Sequence, residues 1–181
     1  MSGRSIGGTL SLLSKFRRSR FADVDSQAKQ LVAASQILAT GSYTDIAKRF
    51  DQVYVVPTDR WNFILTIAGV FTAVSRFEVA SFSDSQKDAL SEVVAADLAK
   101  WDSKAVAGFE DCREFFNRTY DGLASESPYE DDPTYLATNA LGSWIEWNLF
   151  DHAPESTQER QLVRVLGSLV IHSFFRWWSP S

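Results

Sequence analysis

The uncharged stretch WNFILTIAGVFTAVS, residues 61–75, constrains the fold more than any other part of the sequence. It lies between Arg60 and Arg76. As a helix rising about 1.5 Å per residue it extends about 22 Å, which is shorter than the hydrocarbon core of a bilayer at about 30 Å. We therefore predict a buried helix that other parts of the chain surround, and no transmembrane span.

Helix-start signals recur along the rest of the chain. Ser83 with Gln86 has the spacing of a capping box, and so does Ser156 with Glu159. Pro133 follows Asp132, which is the arrangement preferred at a helix start. One predicted helix, QAKQLVAASQILA, ends at Gly41, and a second, DIAKRFDQVY, follows Thr44. The other predicted helices span residues 59–80, 84–101, 103–122, 133–150 and 157–177.

Strand signals are weak, since VYVV at residues 53–56 is the only β-branched cluster and runs into Pro57. We interpret it as a frayed helix end and an extended link. The predicted fold is all-α, a single-domain bundle of about six helices over residues 22–181, with a short amphipathic helix in the leader, residues 1–21. The helices at 59–80 and 133–150 are expected at the centre, because apolar residues cover most of their circumference. One stripe of the first helix carries Asn62, Thr66, Gly69 and Ala73, a spacing that lets a neighbouring helix approach closely.

Charge is unevenly distributed. The net charge is −5, but residues 1–21 contain five basic side chains and no acid, so the remainder carries −10. An acidic body repels phosphates and argues against nucleic acid as a partner. It suits a cationic protein partner, or solubility alone.

Residues that commonly carry chemistry are few. Cys112 is the single cysteine, which excludes a disulfide framework and a CxxC metal site and favours a reducing compartment. His152 and His172 are too few for a histidine metal centre or catalytic relay. We predict no catalytic residue, no cofactor and no metal, and a cytoplasmic location, with organelle targeting or membrane association through the leader as the alternative.

The segment HSFFRWW, residues 172–178, concentrates the large aromatic side chains of Phe174, Phe175, Trp177 and Trp178. At 100° per residue Phe174, Phe175 and Trp178 spread onto the polar side of the last helix, while Trp177 stays on its apolar face. One interpretation is that the leader or an adjacent helix covers them, so that they are core residues. The other is an exposed aromatic surface for a partner, because aromatic residues are enriched in interface hot spots.

The leader is amphipathic if it is helical, and it admits four interpretations. It is an arm that docks on the acidic body, a surface for a membrane or acidic partner, a cleavable transit peptide, or a nucleic-acid contact. Arg17, Arg18 and Arg20 are its partner-binding candidates. Arg4, Lys15 and Arg18 lie opposite the apolar side, whereas Arg17 and Arg20 lie on it. The apolar residues of that side are Ile6, Leu10, Leu12, Leu13, Phe16 and Phe21.

Two polar residues are predicted on buried helix faces. Asp97 lies on an inward face, where an unpaired carboxylate is costly, and we expect a structural ion pair with Arg113. Asn148 lies within an apolar arc, and its amide is expected to bond a backbone group or Asn62.

Acid–base chemistry has one weak candidate, the stretch WIEWNLFDH at residues 144–152. It gathers Glu146, Asp151 and His152 beside two tryptophans. Roles at a helix end explain Asp151 and His152 equally well, and His172 is typical of a residue at the edge of a core.

These observations favour a non-enzymatic protein-binding helical domain, such as an adaptor, an inhibitor or an immunity-type protein. Its acidic body and terminal aromatic surface would hold a cationic partner or a second copy of the chain. The alternatives are a peripheral membrane or scaffold-associated protein anchored by residues 1–21, and an enzyme with a helical active site.

Overall fold

Six α-helices and no strand make up the part of the chain that the computed structural model describes, which is residues 24–77, 80, 82–126 and 132–178. The all-α fold class is confirmed. A short 3₁₀ helix, Asp51–Val55, joins the first two helices. The helices are α1 (Val24–Ala47), α2 (Thr58–Val74), α3 (Asp84–Trp101), α4 (Ala105–Glu126), α5 (Pro133–Phe150) and α6 (Thr157–Phe174).

The predicted capping signals begin three of these helices. At α3, the Ser83 hydroxyl accepts from the Gln86 backbone N–H, and the Gln86 side chain accepts from the Ser83 N–H at 2.9 Å. Ser156 and Glu159 form the same reciprocal pair at the start of α6. The Asp132 carboxylate caps α5, which has Pro133 in its first turn. These bonds satisfy backbone donors that a helix start leaves free.

The predicted boundary at Gly41 is wrong, because α1 continues through it to Ala47. Buried side chains lie on both sides of the glycine, among them Leu38 and Ile46, so burial of one continuous face outweighs the weak helix propensity of glycine. The VYVV link is also not simply extended. Its first three residues belong to the 3₁₀ helix, and Val56 is extended and buried.

Helix α2 lies at the centre, as predicted, and packs against α1, α4, α5 and α6. Its Trp61 is fully buried and donates its indole N–H to the carbonyl of Ala39 at 2.9 Å. Gly69 explains the close approach of its neighbours. A methyl group there would lie 2.7 Å from the Ser35 hydroxyl and 2.9 Å from the Phe174 ring.

Helices α5 and α6 cross at two glycines. A Cβ atom on Gly142 would lie 2.0 Å from the carbonyl oxygen of Val163, and one on Gly167 would lie 2.0 Å from that of Thr138. The two backbones therefore touch directly. Helix α5 is less enclosed than predicted, since Trp147 is 48% exposed.

A search of the described helices finds none with the length and apolar character required to cross a bilayer.

Candidate functional site

The aromatic residues at the end of α6 are mainly core residues. Phe174 is fully buried, and Trp177 and Trp178 are 6% and 8% exposed. Trp178 donates its indole N–H to the Ala73 carbonyl at 2.7 Å, so the end of α6 is anchored to the end of α2. These three rings therefore do not form the exposed surface that was one of the two interpretations.

Phe175 is the exception, since it is 40% exposed. The guanidinium carbon of Arg76 lies 3.9 Å from its ring centroid, which is a cation–π contact. One partly covered ring is too small to act as an aromatic docking surface. The other candidates of this kind, Arg17, Arg18 and Arg20, lie outside the described residues.

The predicted ion pair between Asp97 and Arg113 is wrong. Asp97 pairs with Lys100 at 3.5 Å, and Arg113 pairs with Glu110, each one turn away in its own helix. The Asp97 side chain is 23% exposed, so it is not buried deeply enough to require a partner from another helix.

Asn148 bonds the backbone, which was one of the two expected partners. Its side-chain amide donates to the carbonyl of Trp144 at 2.9 Å rather than to Asn62. The Asn148 carbonyl accepts from the Nε of Arg60 at 2.6 Å, and Arg60 also pairs with Asp151 at 2.6 Å. Arg60 thus joins the start of α2 to the end of α5, and its hydrogen bond lowers the pKa of Asp151.

Glu146 is the polar residue that sequence reasoning underestimated. It is fully buried on α5, and neither carboxylate oxygen has a hydrogen-bond partner. Burial, and then repulsion from Glu159, raise its pKa to about 7. Asp151 and His152 are exposed, so the polar groups of residues 144–152 do not converge on one accessible cleft.

His172 and Ser168 line an open groove of about 700 Å³ between α1, α5 and α6. The Nδ1 of His172 lies 3.1 Å from the Ser168 hydroxyl and 2.8 Å from the Ser168 carbonyl oxygen. Because a carbonyl oxygen only accepts, this nitrogen carries the proton. It cannot then serve as a base for the hydroxyl, and the pair is not a nucleophile with its base.

A second groove, of about 760 Å³, lies between α3 and α4 over the end of α2. We call it the α3–α4 groove. Lining residues recur every three or four positions on both helices, which is the spacing of one helix face. From α3 they are Asp84, Lys87, Asp88, Ser91, Val94, Ala95 and Leu98, and from α4 they are Val106, Phe109, Glu110, Arg113, Phe116 and Asn117.

The floor of the α3–α4 groove is aromatic. Phe71 of α2 contacts Phe116 and Phe109, with ring centroids 4.9 Å and 6.1 Å away. Phe77 lines the end of the groove near the start of α3. The floor therefore offers rigid apolar surface of the kind that anchors side chains of a binding partner.

The rim of the groove is charged, and the two helices that carry it are acidic. Helix α3 contains four acidic and two basic residues, and α4 contains five acidic and two basic residues, for net charges of −2 and −3. On the rim, Lys87 pairs with Asp84 at 3.5 Å. Asp88 forms no ion pair with the described part of the chain. Arg113 likewise pairs with Glu110. The lining itself carries three acidic and two basic side chains, so the groove combines an apolar floor with a weakly acidic rim.

The helical period of α4 places Phe109, Phe116 and Tyr120 on one side and Glu110, Glu114 and Asp121 on the other, but it does not report the groove. Whether an apolar stripe is covered depends on how far the adjacent helix extends over it. Helix α3 buries Leu90, Val94 and Leu98 and leaves part of the aromatic stripe of α4 open.

No cluster of three or more histidine, cysteine or acidic residues suited to a metal occurs among the described residues. Comparisons with protein-family models, with curated proteins and with solved structures give no match.

Proposed function

We propose that this protein is a non-enzymatic protein-binding helical domain whose α3–α4 groove holds a cationic amphipathic helix of a partner. The observation that carries the proposal is the aromatic floor beneath a charged rim, on which three acidic side chains outnumber two basic ones. Helix-in-groove recognition uses this combination, with apolar anchors at i, i+3 or i+4 and i+7 directed into the floor. A cytoplasmic location, favoured by the single cysteine, forms part of the proposal.

The dimensions of the groove support a helical partner. Its α3 edge runs from Asp84 to Leu98, a distance of about 21 Å at about 1.5 Å per residue. This length accommodates about four helical turns, enough for several anchors along one face. The proposed binding surface is the groove and not the terminal aromatic residues, because most of those rings are buried.

Charge supports a cationic partner. Asp84, Asp88 and Glu110 stand on the rim beside the apolar floor. Lys87 pairs with Asp84 and Arg113 with Glu110, so Asp88 is the rim acid that a cationic partner meets most directly. Complementary charges raise the association rate and discriminate against acidic helices, while burial of apolar anchors stabilises the complex. The acidic character of both helices extends this preference beyond the rim.

The test uses a synthetic amphipathic helix of about 18 residues, with leucine at the anchor positions and lysine elsewhere. Its binding to the full chain is measured by fluorescence anisotropy. The variant Ala95→Arg directs a long cationic side chain into the groove and is expected to weaken binding on the order of tenfold.

Ala96→Arg is the matched control, because Ala96 is the adjacent alanine of α3 and is also exposed but does not line the groove. Arginine is a good helix former, so both variants are expected to fold. Equal binding by the two variants would exclude this groove as the binding site.

A further inference from the structure

We propose that the α3–α4 groove is occupied, in the absence of a partner, by the chain's own leader, so that partner binding requires its displacement. The inference rests on the proposed function of that groove. It makes the leader an autoinhibitory segment and identifies its apolar face, from Ile6 to Phe21, as the occupant.

The position at which the leader joins the body favours this groove. Ala39 of α1 contacts Trp61 near the start of α2, and Ser35 lies beside Gly69, so the two helices are antiparallel. The first residue of α1, Val24, therefore lies toward the end of α2 and away from its start. Val74 and Phe77 line the α3–α4 groove at that same end.

The lengths of the leader and the groove agree. The apolar face from Ile6 to Phe21 extends about 22 Å as a helix, and the α3 edge of the groove is about 21 Å long. Phe21 is three residues before Val24, the first residue of α1, so little chain separates the leader from the body.

The charges agree as well. Residues 1–21 carry five basic side chains and no acid, whereas α3 and α4 together are acidic. Arg17, Arg18 and Arg20 are close in sequence to the start of α1. A helical leader whose apolar side faces the groove directs Arg17 and Arg20 toward it, at the end of the rim that carries Asp84 and Asp88.

The first experiment measures proximity within the full chain. A nitroxide is attached to Ser11→Cys, on the polar side of the leader, and the native Cys112 does not compete for the label because it is buried. We expect paramagnetic loss of the amide signals of Ser91, Ala95 and Asn117, which line the groove.

Thr138 and Ser168 line the other groove and serve as controls. The losses should persist when the labelled chain is diluted with unlabelled chain, because the contact is intramolecular. Three results overturn the inference: no loss, loss confined to Thr138 and Ser168, or loss that disappears on dilution.

The second experiment compares the full chain with its Arg17→Glu/Arg18→Glu/Arg20→Glu variant in binding the synthetic helix. Charge reversal is expected to release the leader and strengthen binding about fivefold, as for a groove that is open about a fifth of the time. The inference fails and the proposed function stands if the synthetic helix binds both chains equally and Ala95→Arg still weakens its binding. If the label reports docking but the helix binds neither chain, the proposed function fails for a partner helix.

A membrane-bound leader is the remaining outcome, and vesicle flotation tests it. Vesicles of phosphatidylcholine with about one third phosphatidylserine are mixed with the full chain near physiological salt. We expect no co-flotation. Co-flotation that the arginine reversal abolishes would overturn the inference, because the leader would then prefer a lipid surface to the groove.

Discussion

Glu146 shows how strongly a single position depends on its surroundings. The carboxyl group is fully buried without a hydrogen-bond partner, and its pKa is raised to about 7. A buried polar group without a partner costs on the order of 1–3 kcal/mol, and the ionised form costs more. The residue is therefore a local source of instability in an otherwise apolar crossing of α5 and α6.

We predict that Glu146→Gln removes a pH dependence from the free energy of unfolding. Between the ordinary pKa of 4.5 and the folded value of about 7, the folded state binds more protons than the unfolded state. Stability therefore falls as the pH rises through this window and is level above it. The shift corresponds to about 3 kcal/mol, so the variant is expected to be more stable than the wild type by up to about that amount at pH 8.

Urea denaturation of both proteins at pH 5, 6 and 8 measures the effect. The difference between them cancels the titrating groups that do not interact with Glu146. His152 and Glu159 interact with Glu146, so changes in their pKa values remain part of the difference. A difference that is the same at pH 5 and pH 8 would contradict the assignment.

At the scale of the elements, the crossing of α5 and α6 depends on its two glycines. Gly142→Ala places a methyl group 2.0 Å from the Val163 carbonyl oxygen, a contact that side-chain rotation cannot relieve. We expect a loss of stability of about 3 kcal/mol, at the upper end of the usual cost of overpacking, since the two backbones must separate. Thermal unfolding monitored by circular dichroism measures the change.

Gly122→Ala is the matched control within α4, where an added methyl group meets nothing within 4 Å. Alanine is the better helix former, so this variant should gain about 0.5–1 kcal/mol. Similar losses in both variants would show that tight packing is not the cause.

The final helix gives a second contrast at this scale. Trp178→Ala is expected to lose about 3–5 kcal/mol, because the ring is buried and bonded to Ala73. Phe175→Ala should lose about 1 kcal/mol or less, since its ring is partly exposed and contacts mainly Arg76. Denaturant midpoints of the two variants decide whether these aromatic residues act as core or as surface.

At the scale of the whole molecule, the uneven distribution of charge is the feature with a functional consequence. Basic side chains concentrate in residues 1–21, while α3 and α4 hold half of the net negative charge of the remainder. A groove of this charge attracts basic helices over a distance limited by screening, about 10 Å at 0.1 M salt.

We predict that Asp88→Asn weakens binding of the synthetic cationic helix about threefold at low salt and reduces the dependence of affinity on salt. Glu92→Gln is the control, because Glu92 is an exposed acid of the same helix that does not line the groove. Anisotropy titrations from about 0.05 to 0.5 M salt measure how the affinity of each variant depends on salt. The same salt dependence in both variants would indicate that only net charge matters.

The sequence by itself determined the helices and most of their starts. Capping boxes at Ser83 and Ser156 are hydrogen bonds between residues three positions apart, so the local sequence contains all that they require. The same holds for the helical period that identified α2 as central. Gly41 was misjudged because its helix is stabilised by burial against α2, which no local pattern reports.

Tertiary structure alone decided which apolar faces are covered and which polar groups are paired. The bond of Trp178 joins it to Ala73, 105 positions away, and Arg60 reaches Asn148 across 88 positions. The burial of Glu146 and the opening of the α3–α4 groove likewise follow from how far one helix extends over another. Contacts between distant residues depend on the arrangement of all helices together, whereas a capping signal or a helical period depends only on its own segment.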